Sequence, residues 1–207
     1  MIRTYEFLNY YRVRYPLPAG AELEVHASFA PDAGGAYRLQ VGVQSFNVTR
    51  PPMALTFVVD TSGSLGGEGI ARERAAIGAV AKHLAPGDLV NFVTWSDGGT
   101  GLLDAHVITG PDDPALIQAL NGLVPGGGSD LHAGLVRGYE LAAGTASSDR
   151  LSRVVLISDG GANLGVLDRD KIASEAKHGD DQGIYLVGVG VGPAEGYTDT
   201  LMDLVTD

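Results

Sequence analysis

Residues 55–64 read Leu55-Thr56-Phe57-Val58-Val59-Asp60-Thr61-Ser62-Gly63-Ser64, LTFVVDTSGS. With Ala54, the first five make a continuous run in which no polar residue alternates with the β-branched and aromatic ones, the pattern of a strand buried on both faces. Such strands sit in parallel sheets whose crossover helices cover both sides. The run then ends abruptly in one acid, two hydroxyls and a glycine. Turning a corner requires no such set. In open α/β sheets, ligands lie beyond the carboxyl ends of strands, so the stretch points at once to a fold and to a site on its rim.

The texture downstream agrees. Ile70 to Leu84 reads as a helix with Ile77, Val80, Ala81 and Leu84 on one stripe, stopped by Pro86-Gly87. Leu89–Trp95 and Leu102–Thr109 read as strands, and the short SDGGTG between them makes them antiparallel neighbours. Pro114–Leu123 reads as a helix with Leu116, Ile117, Leu120 and Leu123 inward. After the loop Pro125-Gly126-Gly127-Gly128 comes a helix over 130–143 with Leu131, Leu135, Tyr139 and Ala142 on one side. A strand at 153–158, a helix at 169–177, a strand at 184–191 and the start of a helix at 198–205 follow. Strands alternating with helices predict a doubly wound α/β fold, with a mostly parallel central sheet and helices on both faces. Ahead of it, 21–30 and 37–46 alternate in places around PDAGGA and predict a β-hairpin with a longish glycine-containing loop. Arg50-Pro51-Pro52 breaks the pattern. The expected organisation is an N-terminal extension over 1–52 and a main domain over 53–207.

Composition narrows the functional classes. The chain has 207 residues, 44% of them hydrophobic, and a formal net charge of −11. That charge, without a basic cluster, makes nucleic acid a poor partner. There is no cysteine, which excludes disulfides, zinc-thiolate sites and cysteine nucleophiles. No apolar run reaches the length of a membrane span. Met1–Pro16 has no apolar h-region and is not a signal peptide. The expectation is a cytoplasmic protein if Met1 is the native start, and an envelope or secreted one if the chain is a piece of a longer exported protein.

A second strand closes in the same grammar as the first, RVVLIS followed by Asp159-Gly160, and Ser129-Asp130 follows the glycine loop at a helix start. If the two strands are neighbours, Asp60 and Asp159 face one crevice, with Ser62 and Ser64 on the loop leaving Asp60. Two carboxylates and three hydroxyls suit a hard cation such as Mg2+, which takes six oxygens and keeps several waters. If the hydroxyls bind directly and the acids act partly through water, the ion stays electrophilic and an open position accepts a carboxylate from a partner. Blander readings exist for each residue. Asp60, Ser62 or Ser64 could cap the following helix, Ser129 could be an N-cap, and Asp159-Gly160 is a common turn pair. Asp130 fits a first-turn partner of the helix dipole. His132 fits a rim residue and Trp95 a packing residue. GVGVG at 188–192 lacks the lysine and the spacing of a nucleotide loop.

Asp60-x-Ser62-x-Ser64, then Ser129, then Asp159-Gly160, resembles the metal-ion-dependent adhesion site of von Willebrand factor type A domains. The resemblance runs from about Ala54 to the C-terminus. It implies that Ser62 and Ser64 are direct metal ligands, and that Ser129 stands where the family usually has threonine. It implies that Asp60 and Asp159 act largely through water, that the ion is Mg2+ with Mn2+ and Ca2+ as alternatives, and that the partner is a protein offering an acidic side chain. YEFLNYYRVRYPLP with its following hairpin resembles the extension that precedes this domain in a group of bacterial members. In that comparison the chain stops before the family's last strand and helix. The strand IYLVGVGV would then be an exposed apolar edge, open to self-association unless the hairpin or a second chain covers it.

Two other functions compete with a binding module. A strand-end aspartate beside Mg2+ also serves phosphatase-like hydrolases, but those carry a second acid two residues on, where this chain has Ser62. A structural assembly domain with a vestigial metal site predicts no cation-dependent stabilisation.

Overall fold

A computed structural model of the chain describes residues 15–18, 23–45, 50–168, 170–174, 179, 182–192 and 199–206. Two compact units emerge, Met1–Arg50 and Pro51–Asp207.

In the first unit, β1 (Leu23–Pro31) and β2 (Tyr37–Ser45) form an antiparallel two-stranded sheet of their own. Asp32 caps the short turn Ala33–Gly35 by accepting from the Ala33 amide at 2.9 Å. The register sets Val25 opposite Val43 and Phe29 opposite Leu39, while Glu24 faces Gln44 and Ser28 faces Gln40. One face of the ribbon is thus apolar and the other polar, as period-two alternation requires. Most of YEFLNYYRVRYPLP lies outside the described residues.

The second unit is built on a five-stranded sheet. Its strands are β3 (Met53–Asp60), β4 (Leu89–Trp95), β5 (Gly99–Val107), β6 (Leu151–Ser158) and β7 (Ile184–Gly190), in the order β5-β4-β3-β6-β7. All neighbours run parallel except β4 and β5. Helices with described bounds are α1 (Glu68–Ala81), α2 (Pro114–Asn121), α3 (Leu131–Thr145) and α4 (Asp199–Thr206). Alternate residues of β3 feed two cores. Leu55, Phe57 and Val59 pack with Ile70 and Ile77 of α1 and Leu116 and Leu120 of α2. Val58 packs with Leu131 and Leu135 of α3 and Leu201 and Met202 of α4. Helices therefore cover both faces, which is why β3 shows no alternation in sequence. Gly134 and Gly138 let α3 lie directly on Trp95 and Val58, since a Cβ at either would collide with those side chains.

From β3 the chain first moves outward to β4 and β5, then returns to the other side of β3 for β6 and β7. The strand order reverses between β3 and β6. A crevice opens at such a switch point beyond the carboxyl ends, and Asp60 and Asp159 stand at those ends.

Some expected details differ. Val80 and Ile117 are 36% and 42% exposed rather than buried. Successive helical residues are turned about 100° apart, and both lie on the flank of the stripe that faces the sheet. The buried stripe of α1 instead includes Glu73. Of the expected helix at 169–177, residues 170–174 are helical, and the rest lie outside the described residues. β7 is an edge strand with Tyr185 and Val187 exposed, and among the described residues no strand pairs with its outer side.

Candidate metal centre

Three loops are stitched together above the carboxyl ends of β3 and β6. The Asp60 loop bonds to the glycine loop twice, through the Gly126 amide to the Thr61 carbonyl at 2.8 Å and the Gly63 amide to the Gly127 carbonyl at 3.2 Å. Ser129, at the end of the glycine loop, bonds to the loop after Asp159. Its amide donates to Asn163 Oδ1 at 2.8 Å, and its carbonyl accepts from the Asn163 and Leu164 amides at 2.9 and 3.1 Å. The Gly128 amide is fixed separately by Asp97 Oδ1 at 2.7 Å.

Within this frame Asp60 is fully enclosed. Its Oδ1 accepts from the Ser62 amide at 2.9 Å and its Oδ2 from the Ser158 hydroxyl at 2.7 Å. Ser158 is itself oriented by the Gly160 amide, which donates to its oxygen at 2.9 Å. Burial pushes the Asp60 carboxyl up to about 6, opposed by the hydrogen bonds from Ser158 and Ser62 and reinforced by the nearby charge of Asp159. Ser62 is buried and Ser64 exposed, with their hydroxyl oxygens 3.0 Å apart. Asp159 is buried, and its Oδ1 accepts from the Gly161 amide at 2.9 Å. A Cβ at Gly161 would lie 3.0 Å from Asp159 Oδ1 and 4.0 Å from Ser129 Oγ, so both oxygens border one small space.

α1 begins at Gly67 with no side-chain cap, and Ser62 makes no capping bond to the short turn Gly63–Leu65. The hydroxyls of the Asp60 loop therefore serve no helix start. The cap of α3 is Asp130, which accepts from the Ala133 amide at 3.0 Å, and not Ser129. Trp95 is buried packing.

The donors suit a hard divalent cation. Adjacent ligands of an octahedral ion at about 2.0–2.1 Å stand about 2.9 Å apart, and the Ser62 and Ser64 oxygens are separated by 3.0 Å. Among the described residues no three His, Cys, Asp or Glu side chains form a metal-ligating cluster. The site is instead rich in hydroxyls, with two acids beside them.

Three residues of this neighbourhood escaped the sequence reading. Ser158 carries the hydroxyl that fixes Asp60, and its signal was its place as the last residue of RVVLIS before Asp159. Asn163 clamps Ser129 from a loop with no motif. Glu73 lies on the inward face of α1 as a fully buried acid, pushed up to about 9 by burial and by the charges of Asp60 and Asp159. An acid among Ile70 and Ile77 at helical spacing was the signal there.

A family model for the von Willebrand factor type A domain matches residues 54–207. The chain belongs to this family. Among its relatives is YfbK of Escherichia coli (strain K12), 27% identical over 158 residues, covering 76% of this chain and 27% of that protein. The chain thus spans about a quarter of that relative's length. Among solved structures, a von Willebrand factor type A protein from Catenulispora acidiphila superposes with a TM-score of 0.66 at 14% identity, covering 89% of this chain and 42% of that one. A manganese-loaded TRAP protein of Plasmodium vivax superposes with a TM-score of 0.62 at 18% identity, covering 75% and 62% respectively. At these identities the likeness is one of fold. The type A fold places its strand-end loops at the β3–β6 switch point, where this chain gathers its hydroxyls and acids.

Proposed function

We propose that this chain is a protein-binding module that captures an acidic side chain of its partner through a divalent cation, Mg2+ or Mn2+. The observation that carries the reading is the pair of Ser62 and Ser64 hydroxyls 3.0 Å apart on the loop leaving Asp60, a loop hydrogen-bonded to the glycine loop that leads to Ser129. In this reading Ser62, Ser64 and Ser129 supply direct oxygen ligands, and Asp60 and Asp159 orient the water that completes the set. The bound ion supplies an electrophilic position for a carboxylate from outside. Ser158 and the Ser62 amide hold the Asp60 carboxylate from both sides, so it cannot swing into direct attack. That enclosure also favours binding over chemistry, because a nucleophilic carboxylate has to be presented to its substrate. The manganese-loaded state of the Plasmodium vivax relative supports the choice of ion.

Selection of displayed peptides against the full chain in Mg2+ tests the reading. Binders are expected to share an Asp or Glu that they cannot lose, to be released by EDTA, and to fail on Asp60→Ala. A selection that yields only binders indifferent to EDTA and to Asp60→Ala would reject it.

A further inference from the structure

On its inward face α1 presents Ile70, Glu73, Ile77 and Ala81 in succession, all buried. Three are apolar and one is an acid. Ile70 and Ile77 share a core cluster with Val59, Ile157 and Val191, residues at the carboxyl ends of β3 and β6 and just past the end of β7. Arg72, one residue before Glu73, reaches the Gly192 carbonyl at 2.8 Å, and a Cβ at Gly192 would lie 3.1 Å from Asp159 Cβ, so this turn of α1 runs beside the rim that carries Asp159. Glu73 is 0% exposed and neither of its carboxyl oxygens has a hydrogen-bond partner.

Nothing on its own helix relieves it. Arg72 spans Glu68 at 2.8 Å and the Gly192 carbonyl at 2.8 Å. Arg74 donates to the Leu120 and Leu123 carbonyls at 3.0 and 2.6 Å. A buried acid without a partner costs several kcal/mol, and Leu at this position would pack without that cost. Such an exception to local packing rules is expected where function uses it. Asp60 and Asp159 are the charges that act on Glu73, and both are negative. Burial and then the negative charges of Asp60 and Asp159 push Glu73 up to about 9, so it is protonated at neutral pH without metal, and a divalent cation at the rim would draw it into its ionised form.

We propose that Glu73 is a positioning residue for the cation centre, a buried acid outside the ligand set that tunes how tightly the rim holds a divalent ion. The inference rests on the metal-centre reading above. It concerns a residue in a helix core, outside the loops that carry the ligands.

Calorimetric titration of the full chain with Mn2+ alone tests it. Glu73→Gln keeps the shape and removes the carboxyl that a bound cation would ionise, and at pH 8 should weaken Mn2+ binding about tenfold or more, the attraction between the ionised form and the cation being offset by the cost of ionising a buried acid. Glu68→Gln, an exposed acid on the same helix, should stay within about twofold of wild type, since exposed charges are screened. Glu73→Leu should melt higher than wild type in EDTA, yet gain less from Mn2+. Affinity and metal-free stability would then move in opposite directions, which a merely structural residue does not produce. Unchanged Mn2+ affinity in Glu73→Gln overturns the inference and leaves the metal centre standing. A lower metal-free melting point for Glu73→Leu also overturns it, because Glu73 would then be a structural residue. Absence of Mn2+ binding by the wild-type chain overturns both.

Discussion

The start of α2 and the β3–β6 rim both bury carboxylates, and they treat them in opposite ways. At the start of α2, Asp113 is 2% exposed and its oxygens accept from the Thr109 amide at 3.0 Å, the Thr109 hydroxyl at 2.9 Å, and the Ala115 and Leu116 amides at 3.1 and 3.2 Å. His106 Nε2 lies 2.8 Å from its Oδ1. Burial alone would raise its proton affinity, but the hydrogen bonds from Thr109, His106 and Leu116 outweigh it and hold the carboxyl well below its usual range. At the β3–β6 rim Asp60 has two donors, on the inward face of α1 Glu73 has none, and both are pushed up. Both places exclude water and differ in the supply of donors. An acid wrapped in donors fixes the chain around it. Acids left short of donors remain available for compensation from outside the chain, which is what the proposed cation would supply.

The contrast predicts opposite responses to the same kind of change. Asp113→Ala removes the α2 cap and leaves four donors without an acceptor. It should destabilise the fold by about 3 kcal/mol, a drop in melting temperature of about 6–12 °C for a domain of this size, and the loss should be the same with or without Mn2+. Asp60→Asn should leave the metal-free melting temperature unchanged or higher, and should erase the rise that Mn2+ gives the wild type. Thermal melts of the two variants in EDTA and in Mn2+ check both. If Asp60→Asn melts as far below wild type as Asp113→Ala, the rim acids are structural and the contrast fails.

The rim was half legible in the sequence. Asp60, Ser62, Ser64 and Asp159-Gly160 stand where strand patterns stop, and a strand end is visible because apolar periodicity breaks there. Strand β3 was clear for the same reason, and the short SDGGTG link gave the antiparallel β4–β5 pair. What could not be read depends on partners distant in the chain. Ser158 matters because β6 pairs with β3, and Asn163 because its loop folds back on Ser129. Glu73 hides as one charged residue in a helix whose apolar stripe already looked complete with Val80 in it. In the sheet, Asn91 is buried and its Oδ1 accepts from the Ala105 amide at 2.7 Å, beside register shifts around Phe92. No local pattern announces such a bulge.

The acids also set opposite pH dependences. A carboxyl whose folded-state pKa is raised contributes stability that is fully present below its unfolded value and lost as the pH climbs through the folded one. Asp60, at about 6, and Glu73, at about 9, therefore make the metal-free chain less stable from about pH 4 upward. Asp113 has the opposite sign, with its contribution present above its unfolded value and lost in acid. Metal-free stability should peak near pH 5 and fall by several degrees in melting temperature by pH 8. Mn2+ should flatten the fall, since it favours the ionised acids. Melts in EDTA across that range check this. Stability that rises from pH 5 to pH 8 without metal would mean the rim acids are better solvated than their enclosure implies.

The smallest effect concerns Ser129, which stands where the family usually has threonine. Its backbone is held on both sides by the loop at Asn163, so the hydroxyl direction depends on χ1 alone. Serine leaves three staggered positions open, and a β-branched side chain restricts them. If the hydroxyl is a ligand, Ser129→Thr should recover about 0.5 kcal/mol of side-chain ordering and tighten Mn2+ binding about twofold. Titration of this variant beside wild type reads it directly. Ser129→Ala, losing the oxygen, should move the affinity the other way and further. If alanine and threonine both leave it unchanged, Ser129 belongs with Asp130 as part of the α3 start, and the rim holds its cation with the Asp60 and Asp159 loops alone.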